Sequence, residues 1–275
     1  MEGQSQCQTG GQRLHESSTS ADWLDYMNWN NEHQNPVPWD SGYVITPVER
    51  EAISKSIAIF QLGEAGEGRH FIKQARKHSL RSGDPEYTEA AKLFIAEEQR
   101  HSRLLSRFMD QQSIPHLRNH WSDGFFRGLR KCLNLEVCIA VLITGEIIAR
   151  LYYAALRDAT DSPVLRAICN QILQEEEKHI FFQGGTLGRI RRHRSSLTLA
   201  AYDEFQRLLF AGALLVVWKN HASVYRKAGI GFKKYIAESW AYLEDAIRVI
   251  RASQAFAFEQ DSPSVTRGGA QGVSC

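Results

Sequence analysis

Apolar residues recur along the chain at intervals of three and four, which is the spacing of one face of an α-helix. No run alternates apolar and polar residues in the manner of a strand. The pattern predicts four long helices followed by two more. These predicted helices cover about 47–78, 85–112, 122–159, 163–193, 197–226 and 230–256.

Helix-start signals stand where three of these segments begin. Thr46-Pro47-Val48-Glu49 has the form of a capping box with proline at the first helical position. Asp84-Pro85 and Ser162-Pro163 each combine a capping residue with a proline. Ser113-Ile114-Pro115 is predicted to separate the second helix from the third.

The two ends of the chain differ in composition from its middle. Residues 1–21 are rich in Gln, Gly and Ser, and residues 261–275 contain few large apolar side chains. Both are predicted to be disordered tails around one domain at 22–260. Within it, segment 22–45 contains three tryptophans and is predicted to be an N-terminal arm that packs on the helices. The predicted fold is all-α: a four-helix bundle with this arm and two additional C-terminal helices.

Charge and cysteine usage exclude several classes of protein. Lys and Arg number 33 against 31 Asp and Glu, which argues against binding nucleic acid through bulk charge. The 5 cysteines include no C-x-x-C pair, which predicts reduced thiols, a cytoplasmic location and no cysteine metal site.

The first 20 residues contain no apolar core of a signal peptide, and the apolar run 208–218 is too short to span a bilayer. We therefore expect no membrane or nucleic-acid partner.

Two helical segments carry the same charged motif. Phe94–Leu105 reads FIAEEQRHSRLL and Ile172–Gln183 reads ILQEEEKHIFFQ, each with a Glu-x-x-His 13 residues after a proline. A spacing of three residues puts both side chains on one helical face. In both segments that face is also the apolar seam, so the motif side chains should point inward. They are Glu98, His101, Glu176 and His179.

Each motif is preceded by a glutamate inside an apolar helix. Glu146 lies 30 residues before Glu176, within CIAVLITGEIIARLYYAAL. In the first helix, Glu64 and Glu67 share one seam, and either can face the same interior. Glu64 is the better equivalent of Glu146, once the longer loop before the second helix is allowed for. Buried glutamates without partners are costly, and carboxylate with imidazole suits iron or manganese.

One Glu from each of two helices and a Glu-x-x-His from each of two others resembles the ferritin-like di-iron carboxylate superfamily, over about residues 50–190. The resemblance implies two iron ions, with a manganese–iron pair as the alternative. It implies as metal ligands Glu64, Glu98, His101, Glu146, Glu176 and His179. It also suggests Glu97 and Glu175 as hydrogen-bonding partners of the two histidines. No catalytic residue beyond the ligands is assigned.

The sequence departs from individual branches of that superfamily. Leu105 stands where ribonucleotide reductase small subunits usually carry a radical tyrosine. Arg150 stands where bacterial monooxygenases often place a threonine, and at that position it would point toward the site. Tyr152 and Tyr153 are expected to pack, although one of them can lie near enough to the metals to be oxidised.

The function implied by the resemblance is activation of O₂ to oxidise, hydroxylate or desaturate a substrate. The substrate would be a small organic or carrier-bound molecule, and electrons would come from an external donor, because the chain has no flavin or nicotinamide fingerprint. A homodimer is an open alternative to a monomer. Iron oxidation or peroxide detoxification, as in ferritins and rubrerythrins, is the alternative function. A metal-bound scaffold or radical-generating partner subunit is a third.

Overall fold

The computed structural model describes residues 18–66, 68–119 and 134–261, with residues 260 and 261 described by their backbone alone. Within these ranges the secondary structure is entirely helical. The helices are α1 (Ser20–Glu32), α2 (Pro47–Glu64), α3 (Arg69–Ser82), α4 (Glu86–Gln111), α5 (Leu135–Asp158), α6 (Pro163–Arg191), α7 (Ser196–Lys227) and α8 (Phe232–Asp261). The all-α prediction is confirmed. Predicted segments at 1–17, 122–133 and 262–275 lie outside the described residues.

The predicted starts of α2 and α6 are formed by the expected caps. Thr46 Oγ1 accepts from the Glu49 backbone N–H at 3.2 Å, while the Thr46 backbone N–H donates to Glu49 Oε2 at 2.7 Å. Ser162 Oγ accepts from the Leu165 backbone N–H at 3.3 Å. These contacts satisfy donors that a helix N-terminus leaves unpaired, and so they fix where α2 and α6 begin.

The single helix predicted at 47–78 is wrong, because the chain breaks it after Glu64. Gly68 has φ +60, a left-handed conformation that glycine adopts without strain. A Cβ at Gly68 would also lie 2.6 Å from side-chain carbons of Ile95 on α4. The apolar periodicity of the sequence continues from 47 to 78, but the backbone leaves the helical conformation after Glu64. Helices α2 and α3 are therefore separate.

The N-terminal arm is more ordered than its composition predicts. It begins with α1, which starts at Ser20 behind a Thr19–Asp22 capping box, so the predicted tail boundary at residue 21 falls inside a helix. Trp23 is fully buried, with its ring centroid 5.7 Å from that of Phe182 on α6. The arm therefore packs on the bundle as predicted.

Helix α5 is the core element. It packs against α6 on one side and α7 on another, while α4 contacts α1, α2, α3 and α6. Helix α8 lies along α6. The close contact there needs Gly188, where a Cβ would lie 2.6 Å from the Ile250 carbonyl oxygen. Helices α2, α4, α5 and α6 thus surround a common interior.

Helices α5 and α7 are long and apolar enough to cross a membrane by length and composition alone. In α5, 72% of the most apolar window is buried inside the protein, as in the core helix of a soluble fold, and in α7 the value is 39%.

Candidate metal centre

The four helices around this interior bring together all six side chains implied as ligands. Glu64 comes from the last turn of α2 and Glu146 from the middle of α5. The other four come from the Glu-x-x-His motifs of α4 and α6. Glu67, the alternative to Glu64, lies outside the described residues.

The six side chains form two overlapping groups of candidate ligand atoms. One group is Glu64, Glu98, His101 and Glu176, and the other is Glu98, Glu146, Glu176 and His179. Within each group the candidate atoms lie within 4.8 Å of one another. Glu98 and Glu176 belong to both groups, so two adjacent cations would share these carboxylates.

The orientation of Glu176 fits such sharing. Its Oε1 lies 3.4 Å from Nδ1 of His101, and its Oε2 lies 3.5 Å from Nδ1 of His179. Glu98 Oε1 lies 3.1 Å from Nδ1 of His179 and 3.8 Å from Nδ1 of His101. Each histidine therefore presents its Nδ1 toward the shared carboxylates.

Several buried polar atoms of the ligand cluster have no hydrogen-bond partner. Among the described residues, five such atoms belong to this cluster: Glu98 Oε1, both Glu176 oxygens, and Nδ1 of His101 and of His179. Leaving buried polar atoms unpaired is costly, and a charged group costs more than a neutral one. All five are atoms that a cation would bind, so the residues present fit a bound metal.

The opposite ring nitrogens are held by carboxylates from the facing helix. His101 Nε2 lies 2.6 Å from Glu175 Oε2, and His179 Nε2 lies 3.0 Å from Glu97 Oε2. The suggested pairing of Glu97 and Glu175 with the histidines is thus present, and it crosses between α4 and α6. Such partners fix the ring orientation and direct the other nitrogen at a metal.

Three residues that the sequence did not single out complete this network. Asn30 of α1 donates through Nδ2 to Oε1 of Glu97 and to Oε1 of Glu175, the latter at 2.8 Å. Arg100 and Gln171 also donate to Glu175. For the last two, the signal in the sequence was their position three or four residues from a buried glutamate.

The pKa shifts describe a metal-free cluster that is neutralised by protons. Burial raises the pKa of Glu64 and of Glu146 well above the usual range, and the nearby Glu98 and Glu176 carboxylates raise them further. Burial alone would lower the pKa of each histidine, but contacts with surrounding carboxylates outweigh it and raise that pKa well above normal.

The remaining carboxylates of the network shift the other way. For Glu175, burial would raise the pKa, but His101 and Arg100 lower it to about 2. The pKa of Glu176 is lowered as well, because the nearby Glu146, His101 and His179 side chains outweigh its burial. Two divalent cations would replace the protons and balance the charge of the four glutamates at the candidate ligand positions.

The two tyrosines and Arg150 differ in their relation to the cluster. Tyr153 OH donates to Glu64 Oε1 at 2.8 Å, whereas Tyr152 OH accepts from Ser56 at 3.1 Å. Arg150 places its guanidinium carbon 4.7 Å from the ring centroid of Tyr242 on α8. The expectation that Arg150 points toward the site is wrong, because its side chain packs on the Tyr242 ring of α8 instead.

A cavity of about 170 Å³ adjoins the cluster between α2, α5 and α7. Glu64, Glu98 and Glu146 line one part of it. The rest of the wall is mainly apolar: its apolar members are Ile59, Phe60, Val141, Leu142, Ile148, Ala149, Val216 and Val217, and its polar members are Thr144, Asn220 and His221. Helix α7, one of the two added C-terminal helices, therefore forms part of the boundary of the site.

Comparisons of the chain with protein families, with curated proteins and with solved structures found no match.

Proposed function

We propose that this protein is a ferritin-like, non-haem di-iron oxidoreductase that activates O₂ to oxidise, hydroxylate or desaturate an organic substrate. The observation that carries the proposal is the pair of ligand groups sharing Glu98 and Glu176 beside an apolar cavity. Carboxylates and imidazoles from four helices are the donor set of di-iron proteins built on four-helix bundles. When bound, the iron pair supplies electrons to O₂, and an external donor restores them.

The chain's own residues would hold and insulate this chemistry. Glu97 and Glu175 fix the histidine rings, while Asn30 ties these two carboxylates together. Tyr153 holds Glu64 through a hydrogen bond, which limits the rotation of that carboxylate. Buried side chains of α5 surround the ligand positions, and burial strengthens electrostatic interactions there.

The apolar cavity favours an organic substrate over iron storage or peroxide removal. A hydrated cation or peroxide gains little from a wall of valine, isoleucine and phenylalanine side chains, whereas an organic molecule is stabilised by burial there. An oxidoreductase, an iron store and a metal-bound scaffold differ in how the iron-loaded protein reacts with O₂.

The test uses the full chain loaded anaerobically with ferrous iron and then mixed with O₂. We expect rapid O₂ uptake limited by the iron bound to the protein, and no such uptake in Glu98→Ala/Glu176→Ala. Glu177→Gln is the matched control, because Glu177 is exposed beside Glu176. Continued oxidation of excess ferrous iron into a mineral would instead establish iron storage. Absence of any O₂ reaction in wild type would overturn the oxidoreductase proposal.

A further inference from the structure

Two glycines beside the metal cluster leave space that the protein does not fill. Gly145 lies in the middle of α5 between Thr144 and Glu146, which are 1% and 4% exposed, yet Gly145 itself is solvent-accessible. Gly63, immediately before Glu64, is accessible too. A Cβ added at either glycine would meet no atom within 4 Å.

These glycines are unlike those that permit close helix packing. At Gly188 a Cβ would collide with the backbone of α8, so the absence of a side chain is required there. At Gly145 an alanine would fit and would stabilise the helix, since glycine is a poor helix former. The free space at Gly63 and Gly145 belongs to the cavity, because both residues line it.

We propose that this cavity binds a neutral, mainly hydrocarbon substrate, and that Gly63 and Gly145 keep it wide enough beside Glu64 and Glu146. The inference rests on the proposed function, and it specifies the substrate class of that same site. The reacting carbon lies at the end of the cavity lined by Glu64, Glu98 and Glu146.

The composition of the wall supports a neutral ligand. Of the described residues that line the cavity, none is Lys or Arg, and His221 has its Nδ1 2.8 Å from Ser56 Oγ. Thr144 Oγ1 already donates to the Ala140 carbonyl and accepts from Gln206, and Asn220 Nδ2 already donates to the Val216 carbonyl. In the metal-free protein, a buried carboxylate or phosphate would therefore find no Lys or Arg counterion among these described residues, and burying an uncompensated charge is strongly unfavourable.

The size of the cavity supports a small ligand or a short segment of a longer one. An apolar cavity of about 150 Å³ in a protein core binds benzene. The present cavity, at about 170 Å³, thus accommodates one aromatic ring or a short alkyl segment. A longer substrate would leave its polar end outside the cavity.

The experiment measures binding of fluorobenzene to the full chain by ¹⁹F NMR, with and without ferrous iron. Hexanoate is the charged comparison compound. The filling variants are Gly145→Ala and Gly145→Leu. Gly212→Leu is the control, because Gly212 lies on α7 away from the cavity lining and a Cβ there also meets nothing within 4 Å.

We expect saturable fluorobenzene binding in wild type and in Gly212→Leu. Affinity should fall partly in Gly145→Ala and at least about tenfold in Gly145→Leu. The iron content of these variants should match wild type, and their urea midpoints should be equal or higher, because glycine is removed from a helix. In the metal-free protein, hexanoate should bind more weakly than fluorobenzene, because its carboxylate finds no Lys or Arg among the described residues of the cavity wall.

Three results would overturn the inference: no fluorobenzene binding in wild type, equal fluorobenzene binding in Gly145→Leu, or hexanoate binding to the metal-free protein as tightly as fluorobenzene does. The proposed function is tested by a different measurement, the reaction of the iron-loaded protein with O₂. If fluorobenzene binds as expected but the iron-loaded protein does not react with O₂, the cavity assignment stands and the oxidoreductase proposal falls.

Discussion

Asn30 joins the two carboxylates that orient the histidines, so Asn30→Ala should weaken both metal positions at once. Asn30 is 6% exposed and donates to Glu97 and to Glu175. A hydrogen bond to a charged group contributes about 1.5–3 kcal/mol. Arg100 continues to donate to Glu175 in the variant, so part of the network is retained.

These values give the expected size of the effect. The free energy of unfolding should fall on the order of 2–4 kcal/mol, because the two donations are not additive while Arg100 remains. Ferrous affinity should fall about 10–100-fold, as is typical when partners of metal-bound histidines are lost. Urea unfolding and competition with a chromophoric chelator measure the two quantities. The neighbouring Asn31→Ala is the control, because Asn31 is exposed on the same helix.

Equal iron affinity in Asn30→Ala and Asn31→Ala would show that Asn30 does not support the metal positions. Helix α1 would then contribute packing alone, through residues such as Trp23, and the carboxylate–histidine pairs would not depend on it. A fall in stability without a fall in iron affinity would lead to the same conclusion.

Three other features of the fold and the cluster can be tested by single changes. Gly68→Ala should destabilise the fold more than Gly83→Ala in urea unfolding; both have positive φ, but only at Gly68 would a Cβ meet another side chain, and equal losses would contradict this. Tyr153→Phe removes the donor to Glu64 and should lower the affinity of one of two ferrous ions in a binding titration, whereas loss of both ions, or of neither, would not fit. In metal-free protein, the pKa values of Glu64, Glu146 and both histidines are raised above those of the unfolded chain, which are 4.5 for Glu and 6.5 for His. The stability that these groups contribute is therefore fully present below the unfolded pKa values and is lost as pH rises. Urea unfolding of chelator-treated protein should therefore show falling stability from about pH 5 to pH 8, and metal binding should release protons; rising stability would contradict the protonation states.

The ligand cluster was predictable because its information is local. A Glu-x-x-His in register with an apolar seam places two donors inward whatever the rest of the chain does. Glu146 could be recognised for the same reason, since it interrupts an apolar helix that has no polar face nearby. The pairing of Glu97 and Glu175 with the histidines followed from the resemblance, and the structure contains it.

Features that depend on how distant segments meet could not be predicted. Asn30 lies 67 residues from Glu97 and 145 from Glu175, and nothing in the local sequence of α1 marks it. The close approach of Ile95 to Gly68 and the packing of Arg150 on Tyr242 also arise between helices. Periodicity describes one helix at a time, whereas these features arise from contacts between helices.

The number of irons bound by each ligand variant shows whether these six side chains form two metal positions. After anaerobic loading and removal of free metal, wild type and the exposed control Glu177→Gln should hold about two irons per chain. Glu64→Gln and Glu146→Gln should each hold about one, because each residue belongs to a single ligand group. Glu98→Ala/Glu176→Ala should hold none, because both groups use these residues. Wild-type protein without tightly bound iron, or a double variant that retains it, would contradict the account.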